Sequence, residues 1–172
     1  MHEGALGVPS AWLGAGKVYK SMIGDIGPVN LIVDIGIHWG YSMFKLAIDY
    51  PDAVVFGVDN FSYSDAEKAR AHINAWKVCF KMIVLEGDSI ELGKKFKLPI
   101  DILSIDGDHS YDGVKGDFDA WTKNLRRGGV VLFHDTEHYD NQCGVPRFFK
   151  ELPGRKVAHS AGGPGVGIWF KE

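Results

Sequence analysis

Short apolar, β-branched runs recur along the chain, and acids cluster where they end. Leu31-Ile32-Val33 stops at Asp34, and Val54-Val55-Phe56-Gly57-Val58 stops at Asp59. Met82-Ile83-Val84-Leu85 leads into Glu86-Gly87-Asp88-Ser89, Ile100–Ile105 into Asp106-Gly107-Asp108-His109, and Val130–Phe133 into His134-Asp135-Thr136. Runs of this length and composition predict strands buried on both faces. Between them the apolar spacing becomes helical. Tyr41–Asp49 reads as a helix stopped by Pro51, and Asp65–Trp76 as a charged helix capped by Ser64. Ile90–Phe96 is a short helix before Pro99. Asp112–Leu125 places Val114, Phe118, Trp121 and Leu125 on one face. Gly128-Gly129 then turns the chain into the fifth strand, and Val145–Leu152 is the last helix. Lys156–Ser160 and Gly167–Phe170 are short strands around the turn Gly162-Gly163-Pro164-Gly165. Strands alternating with helices predict an open α/β sheet, largely parallel, with helices on both faces.

The first thirty residues fit this alternation least. Residues 1–9 are loose in composition. From Ser10, a cap residue, the spacing of Trp12, Leu13, Val18, Met22 and Ile23 fits a helix weakened by Gly14 and Gly16, closed by Pro28. The expectation is a helix on the sheet edge, with a partial lid carrying Trp12 or Tyr19 onto a substrate as the other reading.

With 172 residues the chain is expected to form a single domain, residues 1–30 an N-terminal extension and 31–172 the core. A net charge of −3 with both signs interspersed gives no electrostatic footprint for nucleic acid. Cys79 and Cys143 have no C-x-x-C spacing, which fits a reduced, cytoplasmic setting. The N-terminus shows neither a basic start nor a long apolar run, so no leader or membrane partner is expected.

In sheets of this kind ligands bind beyond the carboxyl ends of the strands, where the strand order reverses. Asp34, Asp59, Asp88, Asp106 and Asp135 all fall there. The stretch LIVDIGIHWGYSMFKL carries the turn D-x-G-x-x-x-G-x-S between the first strand and the first helix. Gly36 and Gly40 let backbone approach a ligand, and the helix start offers free N–H groups. No glycine stands at residue 38, which argues against a pyrophosphate and for a ligand with a positive or hydroxyl-bearing head. An acid twenty-five residues on, Asp59, can accept both hydroxyls of a ribose.

DIGIHWGYS resembles motif I of the class I S-adenosylmethionine-dependent methyltransferases, particularly the catechol- and caffeoyl-CoA-type O-methyltransferases. IDGDHSYDGVKGDFDAW through GGVVLFHDT, about seventy residues on, resembles the small-molecule group that includes cephalosporin-hydroxylase-like and macrolide-sugar methyltransferases. The likeness runs from Leu31 to the C-terminus. It implies a Rossmann-like, mainly parallel seven-stranded sheet with a C-terminal antiparallel hairpin, and S-adenosyl-L-methionine (SAM) as cofactor. It sets Gly36, Ile37, Gly40 and Ser42 by the methionine part, Asp34 near its ammonium or holding the loop, Asp59 at the ribose, and Asn60 and Phe61 beside the adenine. Asp88 and Ser89 would bind the adenine amine and ring, or cap a helix. Asp106 would serve both cofactor and catalysis.

The same resemblance implies a divalent ion, Mg2+ or Mn2+, on Asp106 and Asp135. The family's third ligand, an asparagine, is Thr136 here. His134 or His138 would then compensate, and imidazole shifts the preference toward manganese, iron or zinc. The family's general-base lysine is matched by His109, which can take a proton near neutrality or merely bracket the next helix. The expected reaction is methyl transfer to a hydroxyl of a small molecule. The alternatives are a catalytically silent SAM-binding module, and a metal-dependent hydrolase built on D-G-D-H and H-D-T-E-H. A short N-terminus leaves room for a second subunit as cap, in a homodimer. His138 and Asp140 read as surface, Lys115, Lys123 and Lys150 as solvated helix faces, and Cys79 and Trp121 as core.

Overall fold

The computed structural model describes residues 19–62, 64, 65, 68, 71, 81–138, 140, 142–160 and 163–172. Ser10, Trp12, Cys79 and most of the Asp65–Trp76 segment lie outside the described residues. In chain order the elements are β1 (Leu31–Ile35), α1 (Tyr41–Asp49), β2 (Val54–Asp59), β3 (Met82–Glu86), α2 (Ser89–Lys95) and β4 (Ile100–Ile105). There follow α3 (Tyr111–Trp121), β5 (Leu125–His134), α4 (Val145–Glu151), β6 (Lys156–His159) and β7 (Val166–Phe170). Residues 19–23 add a helical turn ahead of β1.

The seven strands form one sheet in the order β3-β2-β1-β4-β5-β7-β6. The first five are parallel, while β7 runs antiparallel to both β5 and β6. The order reverses between β1 and β4, so their carboxyl ends part there and leave a crevice. Alternation along each strand feeds two cores. Ile32, Ile102, Val130, Leu132 and Ile168 pack with Met43, Phe44 and Leu46 of α1. Val33, Ile35, Leu103, Ile105, Val131 and Phe133 pack on the other face with Val114 and Trp121 of α3 and with Phe148 and Phe149 of α4.

The sequence misplaces one boundary. Leu125 is not the last core residue of α3 but the first of β5, opposite Ile100. The next partner pair is Ile102 and Val130, so β5 carries a bulge over the glycine pair. Gly128 has φ +74°, and a Cβ on Gly129 would lie 2.9 Å from the Asp101 carbonyl oxygen. The glycines sit inside the strand because they must.

At the opposite end of the sheet a buried carboxylate fixes the start of β1. Asp101 accepts the backbone N–H groups of Asn30 (2.7 Å) and Leu31 (2.8 Å) on one oxygen. Its other oxygen takes the Arg126 guanidinium, which also reaches the Ile26 carbonyl at 2.7 Å. This brace holds β1, and therefore the turn at its far end, in register.

Candidate active site

The carboxyl ends of β1, β2 and β4 and the start of α2 frame an open cleft of about 1010 Å³. Gly36, Ile37, Ser42, Asp59, Asn60, Asp88, Ser89, Asp106 and His109 all line it. Nine predicted positions from four separate turns thus come together at the switch point.

The turn after β1 is built against β4. Gly36 has φ +82°, and a Cβ there would lie 2.1 Å from the Asp106 carbonyl oxygen. Its N–H donates to Val58 (2.8 Å), while Asp106 N–H donates to Ile35 (2.9 Å). Only glycine meets both demands, so Gly36 places Asp106 as much as it admits a ligand. Gly40, at φ +77°, opens α1.

Asp59 accepts the N–H of His38 (2.8 Å) on one oxygen and that of Phe61 (2.7 Å) on the other. A carboxylate offers about four acceptor positions, so one remains on each oxygen for a vicinal diol. Phe61 itself is buried in the α1-side core and not on the cleft, which corrects its expected place beside the adenine. Trp39 is exposed and stacked on His38, ring centroids 5.0 Å apart, at the rim.

Asp88 is the N-cap of α2, accepting from Glu91 N–H at 2.9 Å. Ser89 gives its hydroxyl to Asp117 at 2.5 Å. Asp117, a buried member of α3 on the cleft floor, has its carboxyl pushed up to about 6, chiefly by burial and against the Ser89 hydrogen bond. The sequence reading passed over it. Its signal was a charged residue at helical spacing from Val114 and Trp121, on the face that must be apolar.

Asp34 does not line the cleft. It is fully buried (0 % exposed), and the hydroxyls of Ser42 and Ser104 beside it fall short of full hydrogen-bond geometry. Burial pushes its carboxyl up to about 7, while the nearby hydroxyls of Ser42 and Ser104 pull it back. Tyr19, from the helical turn, sits over this spot in a small pocket shared with Ser42, Ser104, Asp106 and His134. Burial, with the charges of Asp106, Asp34 and Asp135 adding, holds its phenol far above the ordinary range. Tyr19 and Met22 also pack against the α1-side core, beside the buried Ile23.

At the other end of the cleft, four side chains close a ring. His109 Nε2 lies 3.2 Å from Asp106 Oδ1 and its Nδ1 lies 3.0 Å from Asp135 Oδ2. His134 Nδ1 is 2.8 Å from Asp135 Oδ1 and 3.5 Å from Asp106 Oδ1. Asp135 is buried and held at φ +61°. The hydrogen bond to Asp106 lifts the His109 imidazole above its usual range, burial opposing it and the two acids adding to it. His109 does not cap α3, because Ser110 does so by accepting Gly113 N–H at 3.0 Å. Donor atoms of Asp106, His134 and Asp135 lie within 4.8 Å of one another. His138 and Asp140 are exposed outside this ring, and Thr136 Oγ1 is buried without a partner.

A parallel sheet with this strand order, an antiparallel last pair and a cleft at the β1/β4 parting defines the Rossmann-like fold of the class I SAM-dependent methyltransferases. Residues 33–136 match the family described as methyltransferase domain, and the chain belongs to that family. Among solved structures it is similar to the O-methyltransferase from Bacillus cereus in complex with SAH. That pair has a TM-score of 0.72 at 18% identity, covering 96% of this chain and 83% of the other. It is also similar to TomG from Streptomyces achromogenes, an O-methyltransferase involved in tomaymycin synthesis and solved with SAM. There the TM-score is 0.71 at 18% identity, over 95% of this chain and 80% of that one. The uncharacterized protein y4gI of Sinorhizobium fredii is 30% identical over 95% of this chain, which corresponds to 20% of y4gI. The chain spans about a fifth of the length of the curated relatives it matches. No helix among the described residues is long and apolar enough to cross a membrane.

Proposed function

We propose that this chain binds SAM in the cleft and transfers its methyl group to a hydroxyl of a small molecule. The observation that carries the reading is the cleft itself, which brings Asp59, Asp88, Ser89, Asp106 and His109 together at the parted strand ends. SAM, when bound, supplies a methyl group on a sulfonium, open to in-line attack.

The residues present fit that group. Asp59 has an acceptor position left on each oxygen for the ribose. Asp88 and Ser89 line the cleft with Gly107 and Gly113, where the adenine ring would lie. Asp106 faces the methionine end with Ser42, and the buried Asp34 behind them would add negative potential when ionised. Asp106 would hold the cofactor ammonium in place of His109 Nε2, while Asp135 keeps Nδ1–H in place. His109 is thereby left as the general base, with its acceptor nitrogen toward the cleft and its other nitrogen oriented by a carboxylate. Tyr19 covers the acceptor side and excludes water.

Positioning nucleophile and methyl in line is the larger part of such catalysis, worth roughly 7–11 kcal/mol when both are pre-aligned. Asp106, His134 and Asp135 would hold a divalent ion, Mn2+ better than Mg2+ because one donor is an imidazole. Such an ion would supply Lewis-acid charge that lowers the acceptor hydroxyl's pKa.

Methyl-labelled SAM, offered with a panel of sugars, phenols and hydroxy acids with and without EDTA, tests the reading. Label in a hydroxylated product supports it. Metal-dependent hydrolysis of panel esters without SAM would replace it with the hydrolase reading.

A further inference from the structure

The loop after β5 brings a thiol back to the same imidazole. Gly144 N–H donates to the His109 carbonyl at 2.7 Å, and a Cβ on Gly144 would lie 2.1 Å from the Tyr111 nitrogen, so the loop's return is pressed onto the start of α3. Cys143, just before it, is half-buried, with its N–H on the Asp140 carbonyl at 3.0 Å. Its sulfur and donor atoms of His109 and Asp135 all lie within 4.8 Å of one another. Asp135 divides its oxygens between two sides: Oδ1 toward His134 and Asp106, Oδ2 toward His109 Nδ1.

We propose that His109 Nδ1, Asp135 Oδ2 and Cys143 Sγ form a site for a thiophilic transition metal ion of the zinc or cobalt class, and that filling it switches off His109 as a base. One sulfur, one imidazole and one carboxylate are the donors such ions prefer, whereas magnesium asks for oxygen alone. The site differs from the Asp106–His134–Asp135 set in donors and in the side of Asp135 it uses.

Binding balances simply. The ion forms a bond to sulfur and the Cys143 thiol proton leaves to water. The ion also takes the Nδ1 lone pair, so the imidazole carries its single proton on Nε2, toward Asp106. No lone pair then remains for an acceptor hydroxyl. Without a cation the thiol stays protonated, because burial and the nearby acids Asp135 and Asp140 push it up against a backbone hydrogen bond. The switching step rests on the base role given to His109 above; the site does not.

Titration of the full chain with Co2+, without SAM, reads the site directly. The expected result is a sulfur-to-cobalt charge-transfer band in the near ultraviolet that saturates at one ion per chain. It should persist in excess Mg2+ and in Cys79→Ser, and disappear in Cys143→Ser. Absence of the band, or its survival in Cys143→Ser, overturns the site. On the unaltered chain, Zn2+ should protect Cys143 from alkylation as read by peptide mass; unprotected Cys143 also overturns it. Zn2+ at saturation should abolish methyl transfer, and an unchanged rate overturns the switch while leaving the band intact. A chain without transferase activity would still give the band, so the two readings fail separately.

Discussion

Asp34→Asn isolates the cost of the buried carboxyl beneath the turn after β1. Burial, against the hydroxyls of Ser42 and Ser104, pushes this carboxyl up to about 7 from an ordinary 3.8. Between those values the folded chain holds a proton that the unfolded chain has lost. Stability therefore falls as pH rises from about 4 to 7, and above 7 the cost is present in full. A rise from 3.8 to about 7 corresponds to about 4 kcal/mol. Asparagine has nearly the same shape and no charge, so at pH 8 the variant should be more stable by up to about 4 kcal/mol, with the two proteins converging near pH 4. Urea denaturation midpoints at pH 4.5, 6 and 8 on both proteins measure this difference. Asp117 and His109, whose folded-state pKa values are also raised, add slopes of the same sign to each protein and cancel in the comparison. Equal stabilities at pH 8, or a difference that does not change with pH, would refute the reasoning. A cationic ligand at this end of the cleft would offset the cost, which gives the acid a reason to be there.

Five further outcomes are expected. Asp59→Ala should weaken SAH binding tenfold or more by calorimetry, since charge-assisted hydrogen bonds are worth about 1.5–3 kcal/mol each; unchanged affinity would remove the ribose role. His109→Ala should lower turnover by about 10²–10⁴ with SAH affinity kept. In the unaltered chain kcat should rise with pH through a value above 6.5, because the base must shed a proton that Asp106 helps it hold; a flat profile speaks against a base. Gly36→Ala should lose SAH binding even where circular dichroism shows a fold, as the new Cβ meets the Asp106 carbonyl at 2.1 Å. Asp101→Ala should destabilise the chain by about 1–3 kcal/mol in urea, because it removes the shared acceptor of the Asn30 and Leu31 N–H groups and one partner of Arg126.

The fold was largely legible because each buried strand is an uninterrupted apolar run and its end is marked by an acid. Tyr41–Asp49 and Ile100–Ile105 emerge with the boundaries their residues suggest. The error at Leu125 has a physical cause. Its spacing from Trp121 continues a helical face, yet the paired glycines at 128 and 129 form a bulge inside β5 and not the turn before it. The cleft was legible as a set of strand ends, but depth was not. Nothing in the local pattern separates Asp59, which rims the cleft, from Asp34, which lies sealed behind Ser42 and Ser104. Phe61 shows the same limit, since one left-handed residue (φ +49°) turns it into the core. Cys143 reaches His109 only through the path of the loop after β5, and that path is tertiary.

Calorimetric titration of the purified chain with SAH tests the central claim most directly. The account predicts one saturable site per chain, with affinity unaffected by EDTA and reduced tenfold or more in Asp59→Ala. Absence of binding in the intact, folded chain would contradict it.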